Sequence, residues 1–124
     1  MEDLSFEGTK KTPQIHFCTD GKLSISGRSI PEDATKFFDS LYVWIHEYCA
    51  QPPKNTVVDV QLEYFNSGSS KAVLHMLREL VELKTKGLNV VLNWYYEEGD
   101  DDILERGQYI ASILETKFNF IIVE

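Results

Sequence analysis

From Thr56 to Phe65 apolar and polar residues alternate, with Val58, Val60, Leu62 and Tyr64 on one face and Asp59, Gln61 and Glu63 on the other. Period-two alternation of this kind predicts a half-buried strand. Leu88, Val90, Leu92, Trp94 and Tyr96 repeat the pattern, and Phe118 to Val123 supplies a last strand. Near the N-terminus, Pro13 to Phe17 and Lys22 to Gly27 alternate around Ile15, Phe17, Leu23 and Ile25. The Thr19-Asp20-Gly21 turn between them predicts a β-hairpin.

The other apolar residues recur every three or four positions. Ala34, Phe37, Phe38, Leu41, Ile45, Tyr48 and Cys49 form one helical stripe, which Gln51-Pro52-Pro53 ends. Ser29 is read as its cap, with Pro31, Glu32 and Asp33 in the first turn. A second helix follows Asn66-Ser67-Gly68-Ser69-Ser70, carries Val73, Met76, Leu80 and Leu83, and runs to about Lys86 before Gly87. The acidic run Glu97 to Asp102 opens a third helix, with Ile103, Gly107, Ile110 and Leu114 inward, as acids favour the positive end of a helix dipole.

The order ββαβαβαβ predicts successive right-handed crossovers and parallel pairing in the C-terminal half. Asp59, Gln61, Glu63, Asn89 and Asn93 cannot lie beneath a helix without losing hydrogen bonds, so the helices are expected on one face only. The expected fold is a two-layer α/β domain with a five-stranded mixed sheet, spanning residues 1–124 as one unit with residues 1–12 as a loosely held arm.

Composition narrows the function classes. Twelve Lys and Arg against twenty Asp and Glu give a formal net charge of −8, with no basic cluster, which argues against nucleic acid as a ligand. The longest apolar runs are strand-sized, far short of a membrane span, and the acidic N-terminus lacks the basic-then-apolar order of a secretory signal. The expectation is a cytoplasmic protein with no membrane association. Cys18 and Cys49 have no CxxC spacing and read as free, packed thiols. His16, His46 and His75 show no paired spacing, so neither a metal site nor a cofactor is expected.

The most informative stretch is Asn66-Ser67-Gly68-Ser69-Ser70, which sets three hydroxyls and a glycine between a strand and a helix. Free backbone N–H groups and the dipole at a helix start accommodate a phosphoryl group. A plainer reading makes one Ser an N-cap and lets Gly68 relax the turn, leaving two hydroxyls surplus.

Four segments in order carry a resemblance: Gly8 to Ile15, Leu23 to Glu32, Tyr64-Phe65-Asn66-Ser67-Gly68-Ser69-Ser70-Lys71, and Trp94-Tyr95-Tyr96-Glu97 with Gly107 downstream. Over nearly the whole chain these resemble the SiaC-type bacterial regulatory phosphoproteins, which are similar in fold to STAS domains, the anti-sigma-factor antagonists. The resemblance implies a noncatalytic partner switch. A dedicated kinase phosphorylates the turn, a PP2C-type phosphatase reverses it, and the unmodified form binds and activates a diguanylate cyclase. The family's acceptor is usually the Thr of Asn-Thr-Ser-Ser, which places Ser67 at the acceptor position, with Gly68 in place of a Ser and Ser69 as the second candidate.

Phosphorylation adds about −1.5 to −2 charge, which a partner packed on the unmodified turn could not desolvate. The expected partner surface comprises Tyr64, Phe65, Asn66, Gly68, Ser70 and Lys71, with Tyr95 as an exposed anchor out of phase with Trp94 and Tyr96. Arg28 and Lys71 are candidate phosphate partners. The acids from Glu97 to Glu105 lack EF-hand spacing and read as a solvated helix start. Two other function classes fit the same segment. One is a constitutive interaction domain in which Ser67 is only a cap. The other is a small Ser-dependent hydrolase, which the missing GxSxG elbow and Walker loop disfavour. His75, the one nearby His, lies about 12 Å of helical rise from Ser67.

Overall fold

The computed structural model describes residues 1–123. The elements are β1 (Leu4–Phe6), β2 (Gln14–Phe17), β3 (Lys22–Ser29), α1 (Ala34–Ala50), β4 (Asn55–Phe65), α2 (Ser67–Val81) with a 3-10 extension (Glu82–Lys86), β5 (Asn89–Glu97), α3 (Asp101–Ile113) and β6 (Asn119–Val123). The strands lie in one sheet in sequence order. β1 through β3 pair antiparallel, and β3 through β6 pair parallel.

The two-layer α/β prediction holds, with one strand more than expected. Leu4–Phe6, inside the segment read as a loose arm, pairs with β2 and places Leu4 and Phe6 opposite Phe17 and Ile15. Trp44 fixes this segment by donating its indole N–H to the Glu2 carbonyl at 2.8 Å, and the Asp3 carboxylate accepts from the Thr19 amide at 2.8 Å. That amide bond also holds the Asp3 carboxyl below its ordinary range. Only tertiary contacts make three residues of this kind a strand.

The helix side of the sheet carries Ile15, Leu23, Ile25, Val58, Val60, Leu92 and Trp94, all buried against Phe38, Leu41, Ile45, Val73, Leu77 and Leu80 of α1 and α2. Each such side chain contributes about 1.5–3 kcal/mol by leaving water. The opposite side is polar. Ser24, Asp59, Asn93 and Asn119 stand in one row across four strands. Asn119 donates to Asn93 Oδ1 at 3.0 Å, and Asn93 donates to Asp59 Oδ1 at 2.9 Å, so this face is satisfied without a covering layer.

Two details correct the sequence reading. Ser29 does not cap α1; it ends β3, in register with Phe65, and is buried. Pairing with β4 extends the strand that far, and Asp33 caps the helix instead by accepting from the Lys36 amide at 3.1 Å. The alternation of β4 also breaks. Gly27 pairs with Leu62 but Arg28 pairs with Tyr64, leaving Glu63 as the extra residue of a β-bulge. Gly27, at φ 100°, supplies the left-handed backbone on the other strand. The bulge flips the phase, so Tyr64 points outward at 50% exposure and Phe65 enters the core.

Candidate functional site

Parallel strands β3, β4 and β5 deliver their C-terminal ends to one rim of the sheet, where α/β folds place their sites. The turn from β4 into α2 is a single residue, Asn66, at φ −80° and ψ 177°. Its side chain is the N-cap: Oδ1 accepts from the Ser69 amide at 2.9 Å, and the Asn66 carbonyl accepts from the Ser70 amide at 2.9 Å. The same residue ties the turn to the segment leading into α1, donating its own amide to the Ser29 carbonyl at 3.1 Å and its Nδ2 to the Pro31 carbonyl at 3.5 Å.

Because Asn66 caps the helix, no Ser of the turn has to. The three hydroxyls consequently occupy different environments. Ser69 has no accessible surface, and its hydroxyl accepts from the equally buried Ser29 hydroxyl at 2.7 Å. Ser70 is half-buried. Ser67, the first residue of α2, is exposed, and among the described residues its hydroxyl makes no hydrogen bond. A transferase reaching this turn from solvent therefore meets Ser67 first, and Ser69 only after the turn unfolds.

The rest of the turn is held from behind. Arg106 of α3 donates to the Phe65 carbonyl at 2.7 Å, and its guanidinium lies 3.6 Å from the centre of the Phe65 ring. Phe65, expected on the partner surface, is instead a core residue, packed edge-on against Trp94 with ring centres 6.0 Å apart. The bulge is the physical reason. Arg106 escaped the sequence reading, although a cation three residues after Ile103, on the inward face of α3, is a detectable anomaly.

Gly68 faces α1, where an added Cβ would stand 3.1 Å from Ala34 Cβ. Beside this contact a groove of about 330 Å³ runs between α1 and α2, lined by Ala34, Thr35, Tyr42, Gly68, Lys71 and His75. His75 closes its far end by packing edge-on against Tyr42, with ring centres 4.9 Å apart.

The remaining candidates disperse. Tyr64 is exposed beside the turn, in register with exposed Arg28 of β3. Tyr95 lies on the polar face of the sheet, half-buried, its hydroxyl 3.4 Å from Asp59 Oδ1. Partial burial first, and then the Asp59 charge, push its phenol above the ordinary range. It borders a separate cleft of about 590 Å³ with Gln61, Glu63, Glu97 and Asp100. Asp100 caps α3 through the Ile103 amide at 3.1 Å, and Asp101 and Asp102 fill the first turn, which accounts for the acidic run. Cys49 is buried and Cys18 half-buried, both free; burial foremost pushes the Cys49 thiol up to about 11. Among the described residues no group of three His, Cys, Asp or Glu is placed to hold a metal ion, and no helix is long and apolar enough to cross a membrane.

Comparison with known proteins returns the same fold. An uncharacterized protein of Pseudomonas aeruginosa strain UCBPP-PA14 is 32% identical over 106 residues, 85% of this chain and 84% of that protein. The crystal structure of apo-SiaC from Pseudomonas aeruginosa superposes with a TM-score of 0.86 at 30% identity over all of both chains. A second structure, of the diguanylate cyclase SiaD in complex with its activator SiaC from the same organism, also gives 0.86 at 30% identity, over 97% of this chain and 98% of that one. The family description for SiaC family regulatory phosphoproteins matches residues 6–123, and the chain belongs to that family.

Proposed function

We propose that this chain is a noncatalytic partner switch, a single regulatory domain that is reversibly phosphorylated on Ser67 and, when unmodified, binds and activates a diguanylate cyclase. The observation that carries this reading is the exposed hydroxyl of Ser67 at the first residue of α2, which Asn66 leaves free of capping. Membership of a regulatory phosphoprotein family and 30% identity to a SiaC seated on its cyclase support the choice of partner. A kinase and a PP2C-type phosphatase acting on Ser67 in the cytoplasm complete the cycle, as the family resemblance implies.

The noncatalytic reading rests on the surroundings of Ser67. Among the described residues no imidazole or carboxylate hydrogen-bonds it as a general base. The partner would pack on the turn against Tyr64, Gly68, Ser70 and the exposed start of α2, and a dianion on Ser67 would place charge at the centre of that contact.

The test combines phosphopeptide mapping of the protein from its native cells with a pull-down of the host's diguanylate cyclase. Phosphate on Ser67, cyclase binding by Ser67→Ala, and loss of binding by Ser67→Asp support the switch. Equal binding by both variants, with no phosphate under any growth condition, leaves a constitutive interaction domain.

A further inference from the structure

Ser67 and Lys71 are four residues apart on α2, hence neighbours on one face of the helix, with the hydroxyl N-terminal to the ammonium. Lys71 lines the α1–α2 groove together with Thr35, Gly68 and His75, and no carboxylate lines that groove. Among the described residues Lys11 pairs with Glu32 and His46 Nδ1 lies 3.1 Å from Glu79, and no acid pairs with Lys71, which is an uncommitted cation one helical turn from Ser67. Arg28, the other basic candidate, stands on β3 opposite Tyr64, on a different element.

We infer that Lys71 is the positioning residue for a phosphate on Ser67, drawing the phosphoryl oxygens down the helix face onto the mouth of the α1–α2 groove. An anion preceding a Lys by four residues is the favourable orientation of a helical ion pair, and a phosphate of charge −1.5 to −2 strengthens it over a carboxylate. Modification then does more than add charge at the turn. It covers Gly68 and Thr35 with an ion pair, so the phosphorylated protein loses the groove as well as the bare hydroxyl. Transfer to Ser67 replaces the hydroxyl proton by the phosphoryl group of a nucleoside triphosphate, with the proton and the nucleoside diphosphate released; Lys71 takes no part in that bond change and acts on its product.

This inference rests on Ser67 as the modified residue, and its test is arranged to be independent of that assignment. Phosphoserine is placed at position 67 during translation, and its second ionisation is followed by 31P NMR between pH 4 and 8 in the otherwise unchanged chain and in Lys71→Gln, Lys71→Arg and Arg28→Gln. Lys71→Gln is expected to raise the second pKa by about 0.3, with Lys71→Arg close to the parent, since the cation stabilises the dianion. The difference should shrink at high salt. Titration of Lys71→Gln identical to the parent overturns the inference, as does a rise confined to Arg28→Gln. Failure of the mapping in native cells would instead remove Ser67 as the natural acceptor, whatever the titration shows.

Discussion

The Ser29 hydroxyl, at the end of β3, donates to the Ser69 hydroxyl, in the first turn of α2, at 2.7 Å, and neither residue has accessible surface. Removing one partner strands the other in a dry site. Ser69→Ala should therefore cost about 1–3 kcal/mol in urea denaturation, while Ser67→Ala, at an exposed and unbonded hydroxyl, should stay within about 0.5 kcal/mol of the parent. The double variant Ser29→Ala/Ser69→Ala should lose less than the sum of the two single changes, because it leaves no orphaned hydroxyl.

Arg106 holds the strand end from α3 through both the Phe65 carbonyl and the Phe65 ring. Arg106→Ala should destabilise by about 2 kcal/mol, combining a charged hydrogen bond with a cation–π contact. Amide exchange at Asn66 and Ser67 should accelerate more than exchange in β2. Lys at this position should recover only part of the loss, since an ammonium cannot bond the carbonyl and lie flat on the ring together.

Gly107 is required by space. A Cβ there would lie 2.5 Å from Trp94 Nε1, in the middle of α3, while the same indole donates to the Ile103 carbonyl at 3.0 Å. Gly107→Ala should lower stability by about 1–3 kcal/mol despite the better helix propensity of Ala, because the ring must leave its packed position. A changed Trp94 fluorescence spectrum in the folded variant would report the displacement, and an unchanged spectrum with full stability would refute it.

Burial sets an alkaline limit. Burial, ahead of the nearby Glu79 charge, pushes the Cys49 thiol up to about 11 from its ordinary 9.0. Its neutral form is the one the fold favours, so this stabilisation is complete below pH 9 and falls away as the pH rises to about 11, by on the order of 2–3 kcal/mol. Tyr48, raised chiefly by burial, acts in the same direction. Urea denaturation from pH 8 to pH 10.5 should show a shallower decline for Cys49→Ala than for the parent. At neutral pH, half-buried Cys18 should react with a thiol reagent before Cys49 does.

The elements legible in the sequence are those in which local pattern and tertiary demand agree. The strands at Thr56, Leu88 and Phe118, the three helical stripes, and the uncovered polar face follow from periodicity and from the cost of burying Asp59 and Asn93. What escaped depends on contacts between distant residues. Leu4–Phe6 becomes a strand because Trp44 and Thr19 hold Glu2 and Asp3. Ser29 has the chemistry of a cap, but strand pairing claims it. At the site, residue spacing alone does not distinguish the hydroxyls of Ser67 and Ser69, and only the family resemblance ranks Ser67 first. Asn66 and Ser29 are what separate them, one by taking the cap and the other by burying Ser69. Nothing in the spacing signals a groove between α1 and α2, since helix packing brings Thr35 and Tyr42 to Gly68, Lys71 and His75.

The β-bulge at Glu63 separates replaceable from irreplaceable positions at the end of β4. Upstream of it, β4 follows one register fixed by the core. Beyond it, Tyr64 is turned to solvent while Phe65 is held by Arg106 and Trp94. Adjacent residues thereby meet a substitution differently: a change at position 65 disturbs packed neighbours, and a change at position 64 meets solvent. The side chain at position 64 can thus be exchanged, three residues before Ser67, while the frame that presents Ser67 stays constant.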